Sequence, residues 1–464
     1  MIDLFLTAFV FALFAAGMRK PFIWVLAYVY IDVLAPQKIS WFLLEKMPIS
    51  LMAFGLAFLG WAYADAKNGS RFTFRQMLIV ALLLYCGATT ITADFPEDAL
   101  AKWDWVWKAL VFAVFLPLTL RTRLRIEATA LVMTLTAGAI IIPAGIKTLA
   151  SGGGYGSLHL LVNDNVGLYE GSILSTVAIA IIPLALWLAR HGTIFTPDWR
   201  VKLFAWGLCF ACALMPVGTE ARTGLVCLAI LIAMSLRDVK RRFMYVALIG
   251  AAGLMAVPFL PASFTHRMET IGDHKADQSA STRLAVWQWT IAFAKDHPFG
   301  GGFDAYRQNR LSIDIVDTEA SGNTTAVQTT TLEDKARAYH SAYFEMLGEQ
   351  GYPGLALWLL LHVLGVWQME RIYRRHRRNP DPDAAWIAPL ASALQRSQIV
   401  YLVGSGFVGI AFQPFCYMIV ALQCGLWSWA RRHDSLPAAL PAQRPRRRAR
   451  ADATARPAGV ESVA

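Results

Sequence analysis

Apolar runs long enough to cross a lipid bilayer recur along the whole chain, and a soluble core has no use for so many of them. A spanning helix needs roughly 17–25 mostly apolar residues at 1.5 Å of rise each. Such runs stand around 2–17, 22–34, 48–64, 77–93, 105–120, 128–149, 170–189, 203–219, 223–236, 243–260, 353–369, 387–412 and 413–430. The shortest of them leave the total at about 12–14 spans. Composition agrees, with 56% of the 464 residues hydrophobic and 16% charged, where soluble domains hold about 25% charged. The fold class is therefore all-α, a polytopic transmembrane helix bundle. The opening "MIDLFLTAFVFALFAAGMRKPF" carries its basic residues after the apolar stretch and lacks a clear cleavage site, so it reads as a first span and not as a removable signal.

Lys and Arg then orient the bundle, because cytoplasmic connections retain them. Arg19 and Lys20, then Lys67, Arg71 and Arg75, then Arg121, Arg123 and Arg125, then Arg190, Arg200 and Lys202, then Arg237 to Arg242, and finally "RIYRRHRR" fall in every second connection. Those connections are expected in the cytoplasm, with the N-terminus outside and the C-terminus inside. The formal charge of +11 is thus mostly topological. "RPRRRAR" reads as an orienting, anionic-lipid contact, with no nucleic-acid role.

The same orientation leaves 261–352 as one long extracytoplasmic loop, and connections of that length usually carry function. Its middle, "DTEASGNTTAVQTTTLEDKAR", is expected to be irregular and mobile, while its ends hold short amphipathic helices. "STRLAVWQWTIAFAKDHPFGGGFDAY" puts Leu284, Trp287, Ile291 and Ala294 at helical spacing after an N-cap at Ser281. "RAYHSAYFEMLGEQGYPGL" puts His340, Tyr343 or Phe344, Leu347 and Gly351 on one face. The resulting divisions are an N-terminal transmembrane region (1–169), a core (170–260), the loop (261–352), C-terminal helices (353–430) and a basic, disordered tail (431–464).

Several motifs are set aside. All six cysteines lie in apolar runs, which argues against a disulfide framework or zinc site, and "CFAC" at 209–212 reads as buried helical thiols. "SGGGYGS" lacks the Gly-Lys-Ser/Thr ending of a phosphate loop and reads as a flexible outer connection. Asp381-Pro382-Asp383 has the look of a paired-aspartate metal signature but falls in an Arg-rich connection, and "NTT" carries no weight. What remains is Arg222, Arg283 and His340, retained on the side where basic residues are scarce. Guanidinium groups suit phosphate, and imidazole supplies a base near neutral pH.

Three blocks in order, "TEARTGL", then R-x-x-x-W leading to "HPFGGGFDAY", then H-S-x-Y with E-x-G-x-x-G, resemble the O-antigen ligase and polymerase superfamily of polytopic membrane glycosyltransferases. With "APQKISWFLLEKMPIS", the N-terminal part looks like the O-glycosylation ligases associated with exosortase systems. Ala221, Thr223 and Ser341 depart from the family's commoner Ser, Gly and Asn. The resemblance implies inverting, metal-independent transfer of a glycan from a polyprenyl-diphosphate carrier to a hydroxyl of a glycan, lipid or protein, without a cofactor, at the periplasmic face of a bacterial inner membrane. Arg222 and Arg283 would neutralise the diphosphate, and His340 would be the general base. Glu349 would support the site or stand as a solvated interfacial carboxylate, while Tyr343 and Trp287 would meet sugar or lipid or merely anchor the interface. Two rivals stay open, a polysaccharide polymerase with the same donor and a transporter or flippase; Asp32 is the clearest charge inside a short apolar run.

Overall fold

The computed structural model describes residues 2–41, 43–67, 71–151, 167–256, 278–321, 324–379 and 381–435. Regular structure there is almost entirely helical. The helices are α1 (Ile2–Arg19), α2 (Phe22–Leu34), α3 (Pro36–Ile39), α4 (Ile49–Ala64), α5 (Phe74–Ile91), α6 (Pro96–Thr119), α7 (Arg123–Ser151), α8 (Gly171–His191), α9 (Trp199–Gly218), α10 (Arg222–Ser235), α11 (Arg242–Ala256), α12 (Gln278–Asp296), α13 (Ala342–His376), α14 (Ile387–Gly404) and α15 (Pro414–Ser435). Among the described helices five, namely α5, α7, α8, α9 and α13, are long and apolar enough to cross a membrane. The chain is a multi-pass membrane protein.

Local chemistry marks the helix ends. Thr73 and Gln76 form a reciprocal capping box at α5, Glu170 caps α8 through the amide of Ile173, and α6 opens on Pro96 followed by Glu97 and Asp98, where a missing N–H and negative charge are both favourable.

Polar contacts sort the connections to two ends. At a basic end, Arg121 and Arg125 both reach Asp65, Arg123 donates to the carbonyl of His191 at 2.7 Å, and Arg432 donates to that of Arg121. At the opposite, loop end, the Tyr169 hydroxyl donates to Leu34 O, Asp94 N–H to Gly301 O, and Ala342 N–H to Ser405 O. Arg75, in the first turn of α5, turns into the bundle. Expected in a connection, it is fully buried inside α5, donating to Leu361 O at 3.1 Å and to Gln423 at 2.9 Å. Gln423 and Gln398 continue this network to His362. A guanidinium can sit inside an apolar run when backbone carbonyls and amides satisfy it.

The loop corrects two expectations. Its middle is an antiparallel ribbon, β1 (Arg310–Ser321) paired with β2 (Thr324–Lys335) from Arg310↔Lys335 to Ser321↔Thr324. Thr, Val and Ile favour the pleated backbone, and that preference outweighs the polar composition. The first loop helix begins at Gln278, three residues ahead of Ser281. It buries Val286, Thr290, Phe293 and Ala294 and leaves Leu284 and Ile291 exposed. The second is the opening limb of α13, which breaks at Gly351 (φ 63°, ψ −166°) and turns into the long apolar limb. "SGGGYGS", the start of the loop at 261–277, and residues 436–464 of the tail lie outside the described residues.

Candidate functional site

The break in α13 organises the loop end. In "HPFGGGF" the amides of Gly301 and Gly302 donate to Gly348 O and Glu349 O at 3.0 and 2.9 Å, and Tyr352 N–H donates back to Pro298 O at 2.9 Å. Backbone lies against backbone here. A Cβ at Gly300 would strike Glu349 O, and one at Gly351 would strike Pro298 O. Both also have positive φ, 87° and 63°, which glycine adopts without steric cost. The glycine triplet therefore seats the end of α12 on the kink of α13.

Beneath this junction lies a buried ion cluster. Lys102 of α6 reaches Glu345 and Glu349, each at 2.7 Å, and Asp304 at 3.8 Å. Glu349 is fully buried and also accepts the amide of Asp304 at 3.0 Å; Glu345 accepts that of Ala411 at 3.0 Å. Glu349 is thus a structural anchor, not a solvated interfacial carboxylate, because burial demands that its lone pairs be filled. Lys102, Asp304 and Glu345 are absent from the sequence reading. Residues some 240 positions apart leave no spacing signal, and Lys102 precedes the apolar run at 105–120, so nothing in the sequence marked it as buried.

His340 stands outside α13, which starts at Ala342 with Ser341 as its N-cap residue. It does not share a helical face with Leu347. Its φ of 48° is the left-handed region, costly for a residue with a Cβ and held only where surroundings enforce it. The enforcement is visible on both sides. Trp287 Nε1 donates to Tyr339 O at 2.9 Å, and its indole stacks on Phe344 at 4.8 Å. Asn309 exchanges two hydrogen bonds with the backbone of Arg337, at 2.7 and 2.9 Å, closing the base of the ribbon. Trp287 is therefore a brace. So is Tyr343, whose hydroxyl donates to Leu402 O at 3.0 Å while its ring meets Trp358 edge-on.

The imidazole of His340 keeps a water-exposed edge, yet enough protein surrounds it that partial desolvation, and then the charges of Arg283 and Arg337, lower its pKa from the ordinary 6.5. Arg283 and His340 are brought into electrostatic reach. Arg222 opens α10 after Glu220, itself at φ 51°, and α10 packs on α8 and α14, with Cys227 Sγ donating to Val400 O. Since Ser405, just past α14, accepts from Ala342, Arg222 and His340 stand at the same end of the same helix. A cavity of about 440 Å³ opens beside Glu345, lined by Asp32, Lys38, Lys102, Trp105, Lys108 and Gln413 among others.

Other motifs resolve as structure. Asp381 caps a short turn through the amide of Asp383, and all six cysteines are buried and unpaired with one another. Among the described residues no group of three or more His, Cys, Asp or Glu is arranged to hold a metal ion.

Every residue of the expected site, from Arg222 to Glu349, falls in one matched segment. Residues 207–359 match the O-antigen ligase family. Residues 1–193 match a family of unknown function, DUF5935. No curated protein matches the chain. The Lys102 cluster joins the two matched segments, with the cation on the N-terminal one and all three carboxylates on the O-antigen ligase segment.

Proposed function

We propose that this protein is a membrane glycosyltransferase that moves a glycan from a polyprenyl diphosphate to a hydroxyl acceptor at the loop end of the bundle. The observation that carries the reading is that the O-antigen ligase match contains a histidine whose backbone is held in a left-handed turn beside Arg283. A lowered pKa keeps that imidazole neutral at physiological pH and able to accept a proton. His340 takes the proton of the attacking hydroxyl while the acceptor oxygen bonds to the anomeric carbon. The bond from that carbon to the diphosphate breaks, and the polyprenyl diphosphate leaves with the electron pair. Arg222 and Arg283 neutralise the growing charge as planar, permanently protonated donors. The positive connections at the basic end support a cytoplasmic position for that end and a periplasmic one for the site, in an inner membrane.

The test is glycan transfer by the purified protein from an undecaprenyl-diphosphate-linked sugar, with and without chelator. His340→Ala is expected to keep donor binding and to lose transfer about 10²- to 10⁴-fold, the range a general base supplies. Full activity in the alanine variant would remove His340 as the base, and activity lost to chelator and restored by divalent metal would overturn the metal-independent mechanism. Donor movement across vesicles without transfer would favour a flippase, and products that lengthen on a lipid-linked acceptor would favour a polymerase.

A further inference from the structure

A second polar cavity lies at the opposite, basic end, between α8, α13 and α14. Its volume is about 470 Å³. Arg190, His191, His376, Arg377 and Arg396 line it, no carboxylate does, and Leu186, Trp187 and Pro389 form part of its apolar wall. The charge is one-sided and the wall is greasy.

Basic residues in the last turn of a helix are common, because a cation there complements the carbonyl end. That accounts for Arg190, His191 and His376, which close α8 and α13. It does not account for Arg396. Arg396 is the tenth residue of α14, whose first is Ile387, and so stands about 13 Å along the helix at 1.5 Å per residue. An arginine at that depth in a helix packed between apolar helices needs an anionic or polar partner, and so marks a candidate functional position. His376 adds a second observation. It is only 5% exposed, its Nε2 lies 3.5 Å from Asp434, and its Nδ1 has no hydrogen-bond partner.

We infer that this cavity binds the phosphodiester of an anionic phospholipid, its acyl chains running along the Leu186–Pro389 wall. The guanidinium of Arg396 supplies the planar donor fork that phosphate oxygens accept, and Arg190 and Arg377 close the rim. Basic pockets between spanning helices on the cytoplasmic side take lipid headgroups in this way. A soluble phosphate would satisfy the same cations but would leave the apolar wall uncovered. The inference stands apart from the transfer reaction proposed at the other end, since its readout is binding.

The experiment is native mass spectrometry of the full chain in detergent, titrated with phosphatidylglycerol, phosphatidylcholine or inorganic phosphate. Phosphatidylglycerol is expected to be retained, and phosphatidylcholine, which has the same phosphodiester but no net charge, is expected to bind at least tenfold more weakly. Arg396→Gln should weaken phosphatidylglycerol about tenfold or more, as loss of a charge-assisted hydrogen bond does. If that variant does not fold, the rim pair Arg190→Gln with Arg377→Gln decides in its place. Arg241→Gln, an exposed cation at the same end but outside the cavity, should bind like the wild type. Equal retention of the two lipids, an equal loss in Arg241→Gln, or displacement of phosphatidylglycerol by millimolar phosphate would each overturn the lipid site.

Discussion

At the scale of single residues, His340 is a base whose readiness is set by its neighbours. Desolvation and the positive charges of Arg283 and Arg337 favour the neutral ring, so transfer should rise with pH through a midpoint below 6.5 and level off near neutrality. The sign of a charge change follows directly. Arg283→Gln removes a cation that disfavours the imidazolium, raises the histidine pKa, and should move the acidic limb of the rate profile to higher pH. Arg283→Lys keeps the charge, should leave that limb in place, and should still transfer poorly, because a point charge cannot reproduce a bidentate phosphate contact. A pH–rate profile of both variants checks this; an unmoved limb in Arg283→Gln would show that the two residues do not communicate. His340 itself was legible as an isolated titratable residue on the side poor in basic groups. Its left-handed backbone was not, because φ at that position depends on Asn309 and Trp287, which lie 31 and 53 residues away and brace the turn through Arg337 and Tyr339.

At the scale of elements, the seating of α12 on α13 depends on bare backbone. Gly351→Ala would force a Cβ toward Pro298 O at positive φ, and strain plus overpacking should cost about 2–4 kcal/mol. Gly207, inside α9, has open space where its Cβ would go, so Gly207→Ala should leave stability unchanged or slightly raised. Thermal unfolding in one detergent compares the two, and similar losses would mean the junction carries no special constraint. The ion cluster offers a sharper test. Lys102→Met strands Glu345 and Glu349 in a buried site and should cost about 3–5 kcal/mol, whereas adding Glu349→Gln should recover part of the loss. Strict additivity would show that the 2.7 Å contact carries no coupling. These elements were partly readable in advance. Apolar runs disclose helices because a span has few alternatives in lipid, and the proline and glycines of "HPFGGGF" are residues that a turn favours. What the turn packs against was hidden, since the partner carbonyls of Gly348 and Glu349 belong to backbone, which every sequence supplies alike. The ribbon was misread for a related reason: polarity suggested an irregular span, while cross-strand pairing of Asp317 with Gln328 or Val316 with Thr329 is set by register and not by composition.

At the scale of the whole molecule, one lysine of the N-terminal matched segment holds the buried carboxylates of the other. Lys102 comes from the N-terminal match and its carboxylates from the O-antigen ligase match, so neither segment satisfies its buried charges alone. The ends of the assembly then differ in kind. One gathers Asp65 with Arg121 and Arg125, Arg123 with the end of α8, and Arg237 with Glu370; the other gathers the ribbon, the glycine junction and His340. Lys and Arg resist translocation, so the first end should face the cytoplasm and the second the periplasm. Single cysteines at Thr325 in β2 and at Arg241 beside the start of α11 test this in cells whose outer membrane is made permeable. The six native cysteines are buried and should give little background with a membrane-impermeant maleimide. Thr325→Cys should label at once, and Arg241→Cys only after the inner membrane is opened. The opposite pattern would put His340 on the cytoplasmic side, where the periplasmic glycan transfer proposed for it could not take place.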